Sequence, residues 1–168
     1  MATFRLVIIF AIILTSGEAF AQIQDHNRQF GLRLGATTGI SYKTDYNSGK
    51  TTVGRSTASI ISKLSFGVTS ALEIEAGAET GFERDFPVTV TTGIRYFYNP
   101  LSFLKFYSTV ETLFPVRPYA DFGIRNEDGI QYDFNAHVGI WASAILSLTF
   151  VHGFGASAGA AAGLQFRM

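Results

Sequence analysis

Twelve charged side chains fall on the polar face of alternating segments, six of each sign. They are Arg33, Lys63, Arg95, Lys105, Arg125 and Arg167 against Glu73, Glu75, Glu79, Glu111, Glu127 and Asp133. Two chemistries are open to such a set. Lining a water-filled path, the carboxylates at 73, 75 and 79, flanked by Lys63 and Arg95, would form a proton pathway or an ion-selective constriction. Enclosed without water, the same groups must meet one another. A buried charge without a partner costs several kcal/mol, whereas a paired and hydrogen-bonded one approaches neutrality. The six-to-six match suits the second reading, a salt-bridged plug, and so does the narrowness of any barrel this chain could close.

Other chemistry finds little support. The three histidines, His26, His137 and His152, fall in a leader, a turn and a loop and do not converge. No nucleophile elbow, metal-ligand spacing or Gly-rich phosphate loop is present. His152 with Ser157 and a loop carboxylate is the nearest approach to a hydrolase grouping, and no local pattern accompanies it. No catalytic, cofactor-binding or metal-binding residue is therefore assigned, and no enzyme is expected. Lys+Arg and Asp+Glu balance at 13 each, so there is no electrostatic case for a nucleic-acid partner.

The elements that must carry the charges are strands. Period-2 alternation recurs along the chain, and no long window shows the 3.6-residue period of an amphipathic helix. Eight strands are predicted over about Phe30–Tyr42, Ser56–Val68, Leu72–Phe82, Val88–Phe97, Phe103–Phe114, Phe122–Phe134, Val138–Phe150 and Gly155–Arg167. Thr69–Ala71, Tyr98–Pro100 and Asn135–His137 read as tight turns at one rim. Lys43–Arg55, Glu83–Pro87, Pro115–Tyr119 and Val151–Gly153 read as loops at the other. In the first segment Leu32, Leu34, Ala36 and Ile40 oppose Gly31, Arg33, Gly35 and Thr37. The polar face is rich in Gly, Ser, Thr and Ala, with only isolated long charges. A water-facing surface carries many more charges, so the polar face is expected inward and the apolar face outward, with Trp141, Tyr107 and Ile145 filling the interior. Asn126 and Asp128 break the pattern by sharing the apolar face of segment six; a bulge near Asp128–Gly129, or a strand rising beyond the membrane, would resolve this.

Ahead of the strands, Arg5, an apolar run from Leu6 to Leu14 and Ala19-Phe20-Ala21 read as a cleaved secretory signal over 1–21. Residues 22–168 then form one domain. Cysteine is absent from the 168 residues, so an exported domain of this size needs another source of order, and a closed sheet with every backbone group paired is one.

The alternation from Gly155 to Met168, ending Leu164-Gln165-Phe166-Arg167-Met168, resembles the closing strand of a bacterial outer-membrane barrel, although that family usually ends in Phe or Trp. With phrases such as Phe30-Gly31-Leu32-Arg33-Leu34-Gly35, the mature chain resembles the small eight-stranded outer-membrane β-barrels of the OmpA/OmpX and opacity-protein type. The resemblance implies an all-β, antiparallel up-and-down transmembrane barrel in the outer membrane of a Gram-negative cell. Its implied partners are outer-membrane lipid and, during assembly, periplasmic chaperones and the barrel-insertion machinery. The implied role is structural or in surface interaction. A narrow ion- or solute-conducting pore is the alternative, and a secreted soluble barrel that binds an apolar ligand is the second.

Overall fold

The computed structural model describes residues 30–82, 86–117, 120–150 and 153–168, with the backbone alone at 55–57. The expected export signal over 1–21, His26 and loop residues 83–85, 118–119 and 151–152 lie outside these. Eight strands run β1 (Phe30–Asp45), β2 (Thr51–Gly67), β3 (Leu72–Gly81), β4 (Val88–Phe97), β5 (Leu104–Arg117), β6 (Gly123–Asp133), β7 (Val138–Thr149) and β8 (Gly153–Arg167). Each pairs antiparallel with its sequence neighbours, and β8 returns to pair with β1, closing a barrel. Over the closed registers every strand has a neighbour on both sides, the condition a sheet must meet in lipid, while residues 51–56 of β2 rise past β3 and pair with β1.

The register sets the stagger. Hydrogen-bonded partners followed once around from Tyr42 run through Ala156, Leu148, Ile124, Thr112, Thr92, Ala76 and Leu64. They return to β1 at Leu32, ten residues from the start. Eight strands with such a stagger tilt by about 35–45° and enclose a space just wide enough for side chains to fill.

Alternation then sorts the residues into two opposite environments. Arg33, Glu73, Arg95 and Glu127 are fully buried, while Ile40, Leu64, Val110 and Leu146 are each more than half exposed. This inverts the arrangement of a water-soluble barrel, whose apolar residues line the inside. Aromatic rings gather where the apolar band ends. Phe30–Phe66, Tyr96–Tyr98 and Tyr132–Phe134 pack tilted or edge-on with centroids 5.2–5.4 Å apart near one rim, and Phe114–Phe122 and Phe150–Phe154 tilted at 5.6 and 6.2 Å near the other. Two such girdles are how a transmembrane barrel marks its interfaces.

The three turns form at the first rim, and in each a side-chain oxygen replaces a missing backbone acceptor. Thr69 Oγ1 accepts from the N–H of Ala71 and Leu72, Asn99 Oδ1 from Phe106, and Asn135 Oδ1 from His137 and Val138. The opposite rim departs from expectation. The loop predicted over Lys43–Arg55 is mostly strand, because Asp45 closes a hairpin of five residues. Its Oδ1 accepts from Asn47 N, Ser48 N and Ser48 Oγ at 2.8–3.0 Å, and Gly49 supplies the left-handed φ of 63°. These bonds, the one from the Ser48 N–H foremost, hold the Asp45 carboxyl below its ordinary pKa. Pro115, predicted in a loop, lies within β5 at a register shift against Val88 and Thr89, where an absent N–H is tolerated. No bulge forms at Asp128–Gly129. Asp128 pairs in unbroken register with Ser108 and Ala144, and it stays exposed on the apolar face.

Depth along the strands predicts sensitivity to charge. Ile60 faces outward six residues along β2 from the girdle residue Phe66, whereas Val68 faces outward beside the turn. Ile60→Arg should cost about 2–4 kcal/mol of stability in lipid vesicles and Val68→Arg about 0–1 kcal/mol. Urea unfolding followed by Trp141 fluorescence reads the difference, and equal costs would contradict the placement of the membrane band.

Candidate functional site in the barrel interior

Every strand but β7 contributes at least one charged group to the interior, and the stagger brings groups from non-adjacent strands to the same height. Arg33 on β1 reaches across the barrel. Its Nη2 lies 2.8 Å from Glu127 Oε1 and its Nη1 lies 3.4 Å from Glu75 Oε2. Lys63 Nζ sits between Glu111 at 2.6 Å and Glu127 at 2.9 Å. Arg95 joins Glu73 at 3.3 Å to Glu75 at 2.5 Å, and Arg167 meets the other oxygen of Glu73 at 2.6 Å. At the opposite end Arg125 lies 2.7 Å from Glu79 and 3.8 Å from Glu111.

These contacts make one unbroken chain. It runs Glu79, Arg125, Glu111, Lys63, Glu127, Arg33, Glu75, Arg95, Glu73, Arg167, and its sign alternates at every step. Lys105 and Asp133 form a separate pair at 2.7 Å near the turn rim. All twelve residues picked out by alternation thus project inward. Glu79 at the mouth is the most exposed side chain of the linked ten, at 15%.

Aromatic and amide groups complete the packing. Tyr107 Oη lies 2.8 Å from Arg33 Nη2 and donates to Glu127 at 2.9 Å. The Arg33 guanidinium also stacks 3.9 Å from the Trp141 ring, and Arg95 lies 4.6 Å from the Tyr107 ring, contacts worth most where water is excluded. Trp141 lies flat against the wall because Gly163 and Gly35 occupy the neighbouring positions on β8 and β1. A Cβ at Gly35 would meet the indole at 2.5 Å. Trp141 Nε1 donates to Leu164 O at 3.2 Å.

Sequence reasoning overlooked the neutral members. Gln131 donates to Asp133 at 2.7 Å, Thr109 accepts from Arg95 at 3.3 Å, and Ser147 accepts from Arg125 at 3.1 Å. Gln165, in the amide orientation its neighbours require, links Gln131 to Arg167. The signal was available: Gln131, Thr109 and Gln165 have the same parity along their strands as a charged residue already chosen, and Ser147 has that of the inward Trp141. His137 lies apart from the interior charges, in the turn, with Nδ1 3.1 Å from Arg167 O. The suggested His152–Ser157 grouping rests on a residue outside those described. Among the described residues, no three His, Cys, Asp or Glu side chains cluster as a metal site.

No protein-family model matches the chain, and no curated protein matches it. Solved structures do share the fold. The chain is similar to Neisserial surface protein A, with 10% identity, 83% of this chain and 97% of the other covered, and a TM-score of 0.60. It is similar also to the N-terminal β-barrel domain of Pseudomonas aeruginosa OprF (12% identity, 82% and 97% covered, TM-score 0.52). A third is the outer membrane protein OprG of the same organism (12% identity, 83% and 95% covered, TM-score 0.51). The architecture is that of the small eight-stranded outer-membrane barrels.

The chain of charges makes unequal demands along its length. Glu127 meets Arg33, Lys63 and Tyr107 with no water access, so Glu127→Ala should cost about 3–5 kcal/mol by leaving two buried cations short of a partner. Glu79→Ala, at the exposed end, should cost about 1 kcal/mol or less. Equilibrium unfolding in lipid vesicles measures both, and similar values would show that the interior is hydrated throughout.

Proposed function

We propose that this protein is an integral outer-membrane barrel with a structural or surface-interaction role, non-catalytic and closed to ions. The observation that carries this reading is the interior chain of ten alternating charges. Together with Tyr107, Trp141, Phe97 and Ile61, all at most 3% exposed, it occupies the section through which a water column would pass. A conducting filter needs sites that ions enter and leave; here each cationic group is already held by carboxylates at contact distance.

The second girdle, the outward apolar band and the eight-strand closure support insertion in a bilayer. The rim with the three tight turns and the end of β8 is assigned to the periplasm, and the opposite rim to the outside. There β1 and β2 continue as a paired hairpin, with exposed Tyr46 and Val53, a short element suited to contact at the cell surface. Its small size argues against a large binding platform. Outer-membrane lipid is the standing partner. Periplasmic chaperones and the insertion machinery are the proposed assembly partners, a reading that the alternating outward face of β8, with Leu164 and Phe166, supports.

Two measurements test the reading. Folded protein in detergent should migrate differently from boiled protein on a gel, and it should need detergent or lipid to stay dispersed. Single-channel recording in planar bilayers should then show no stable openings. Reproducible conductance would promote the pore alternative, with Glu73, Glu75, Glu79, Lys63 and Arg95 as its constriction, and Glu75→Gln would change its ion selectivity.

A further inference from the structure

Polar side chains interrupt the outward face where it should be most apolar. On β6 the outward residues run from Phe122 through Ile124, Asn126, Asp128, Ile130 and Tyr132 to Phe134. Phe122 and Phe134 belong to opposite girdles, and Asp128 lies six residues from each. At about 3.3 Å per residue on a tilted strand, Asp128 is roughly half-way through the hydrocarbon. Its carboxylate is exposed, and the Asn126 amide, donating to Oδ2 at 2.7 Å, is its one hydrogen-bond partner among the described residues. Beside it on β5 and β4, Ser108 pairs with Asp128, and Thr112 bonds Thr92 through their hydroxyls at 2.8 Å.

An ionisable group at mid-depth on a lipid-facing surface is costly, and it marks a contact when nothing within its own chain covers it. Lipid tails offer no hydrogen bond, and head groups do not reach this depth. A partner must present polar groups at the same level. We propose that this patch of β4, β5 and β6 is the interface of a homodimer, formed with a second copy of this chain about a two-fold axis along the membrane normal. Two copies inserted in the same direction necessarily carry their patches at one depth. At one depth the axis sets Asn126 against the second copy's Asn126, whose amides each donate and accept, and Asp128 against the second copy's Asp128, where one carboxyl holds a proton and donates it to the other. Ser108 and Ala144 on either side of Asp128 are small, which lets the two walls approach closely.

The inference rests on the membrane reading, and the experiment separates the two. The chain lacks cysteine, so Val110→Cys places a single thiol on the patch and Leu64→Cys a single thiol on β2, away from it. Each variant is reconstituted into vesicles at high lipid-to-protein ratio and oxidised. Heat-modifiable migration and retention in the vesicles report on the membrane reading alone. Disulfide-linked dimers should form with Val110→Cys and not with Leu64→Cys. Adding Asp128→Leu, or Asn126→Leu as a second variant, to Val110→Cys should lower the cross-linked fraction by about fivefold or more, as expected for one or two lost hydrogen bonds in lipid. Equal cross-linking at the two thiols, or cross-linking that survives both Leu substitutions in protein that still folds, overturns the dimer.

Discussion

Twelve charged side chains point into the interior of this barrel, most of them almost completely buried, and the rest of the structure answers to that. Long charged residues placed there cannot be solvated, so each must be met by an opposite charge at contact distance. The ten-residue stagger makes this possible by lifting groups from separate strands to a common height. Arg33 on β1 thereby meets Glu127 on β6 and Glu75 on β3, although none of these strands adjoins another. The result is a core held by charge pairing where a soluble domain would use apolar packing.

The outer surface is the complement of this arrangement. With polar groups committed inward, the outward positions are left to Ile, Leu, Val and Ala, and in a bilayer this face costs nothing to expose. The aromatic rings take the two levels where hydrocarbon gives way to water. The departures from this arrangement are the hairpin that β1 and β2 extend at one rim and the few outward polar positions, Asn126 and Asp128 above all.

The strands and the faces were legible in the sequence because alternation is a local signal. The twelve interior charges could be named from parity alone, and the three side-chain-capped turns from Thr69, Asn99 and Asn135. The pairing within the interior was not legible. Which carboxylate meets which guanidinium depends on stagger, and stagger is settled only when β8 meets β1. Loop lengths at the outer rim were misread for a similar reason. The segment around Asp45 is polar and contains Gly, which suggests a loop, but in a tall barrel a water-exposed strand has the same composition. Alternation at Asp128 suggests either a bulge or a strand rising beyond the membrane, whereas the ladder holds and the side chain stays on the outward face.

The charge chain also joins parts of the polypeptide that are far apart. Arg33 and Glu127 are 94 residues distant, and the contact of Arg167 with Glu73 spans an equal length. No fragment of a few consecutive strands contains a complete set of partners, so a half-built barrel would hold bare charges on a concave, water-exposed face. Neutralisation therefore arrives late and all at once, when the final strand docks. Assembly should accordingly approach an all-or-none event, with a slow, topology-limited closing step, and hydrogen exchange in the folded state should show the eight strands opening together rather than one by one.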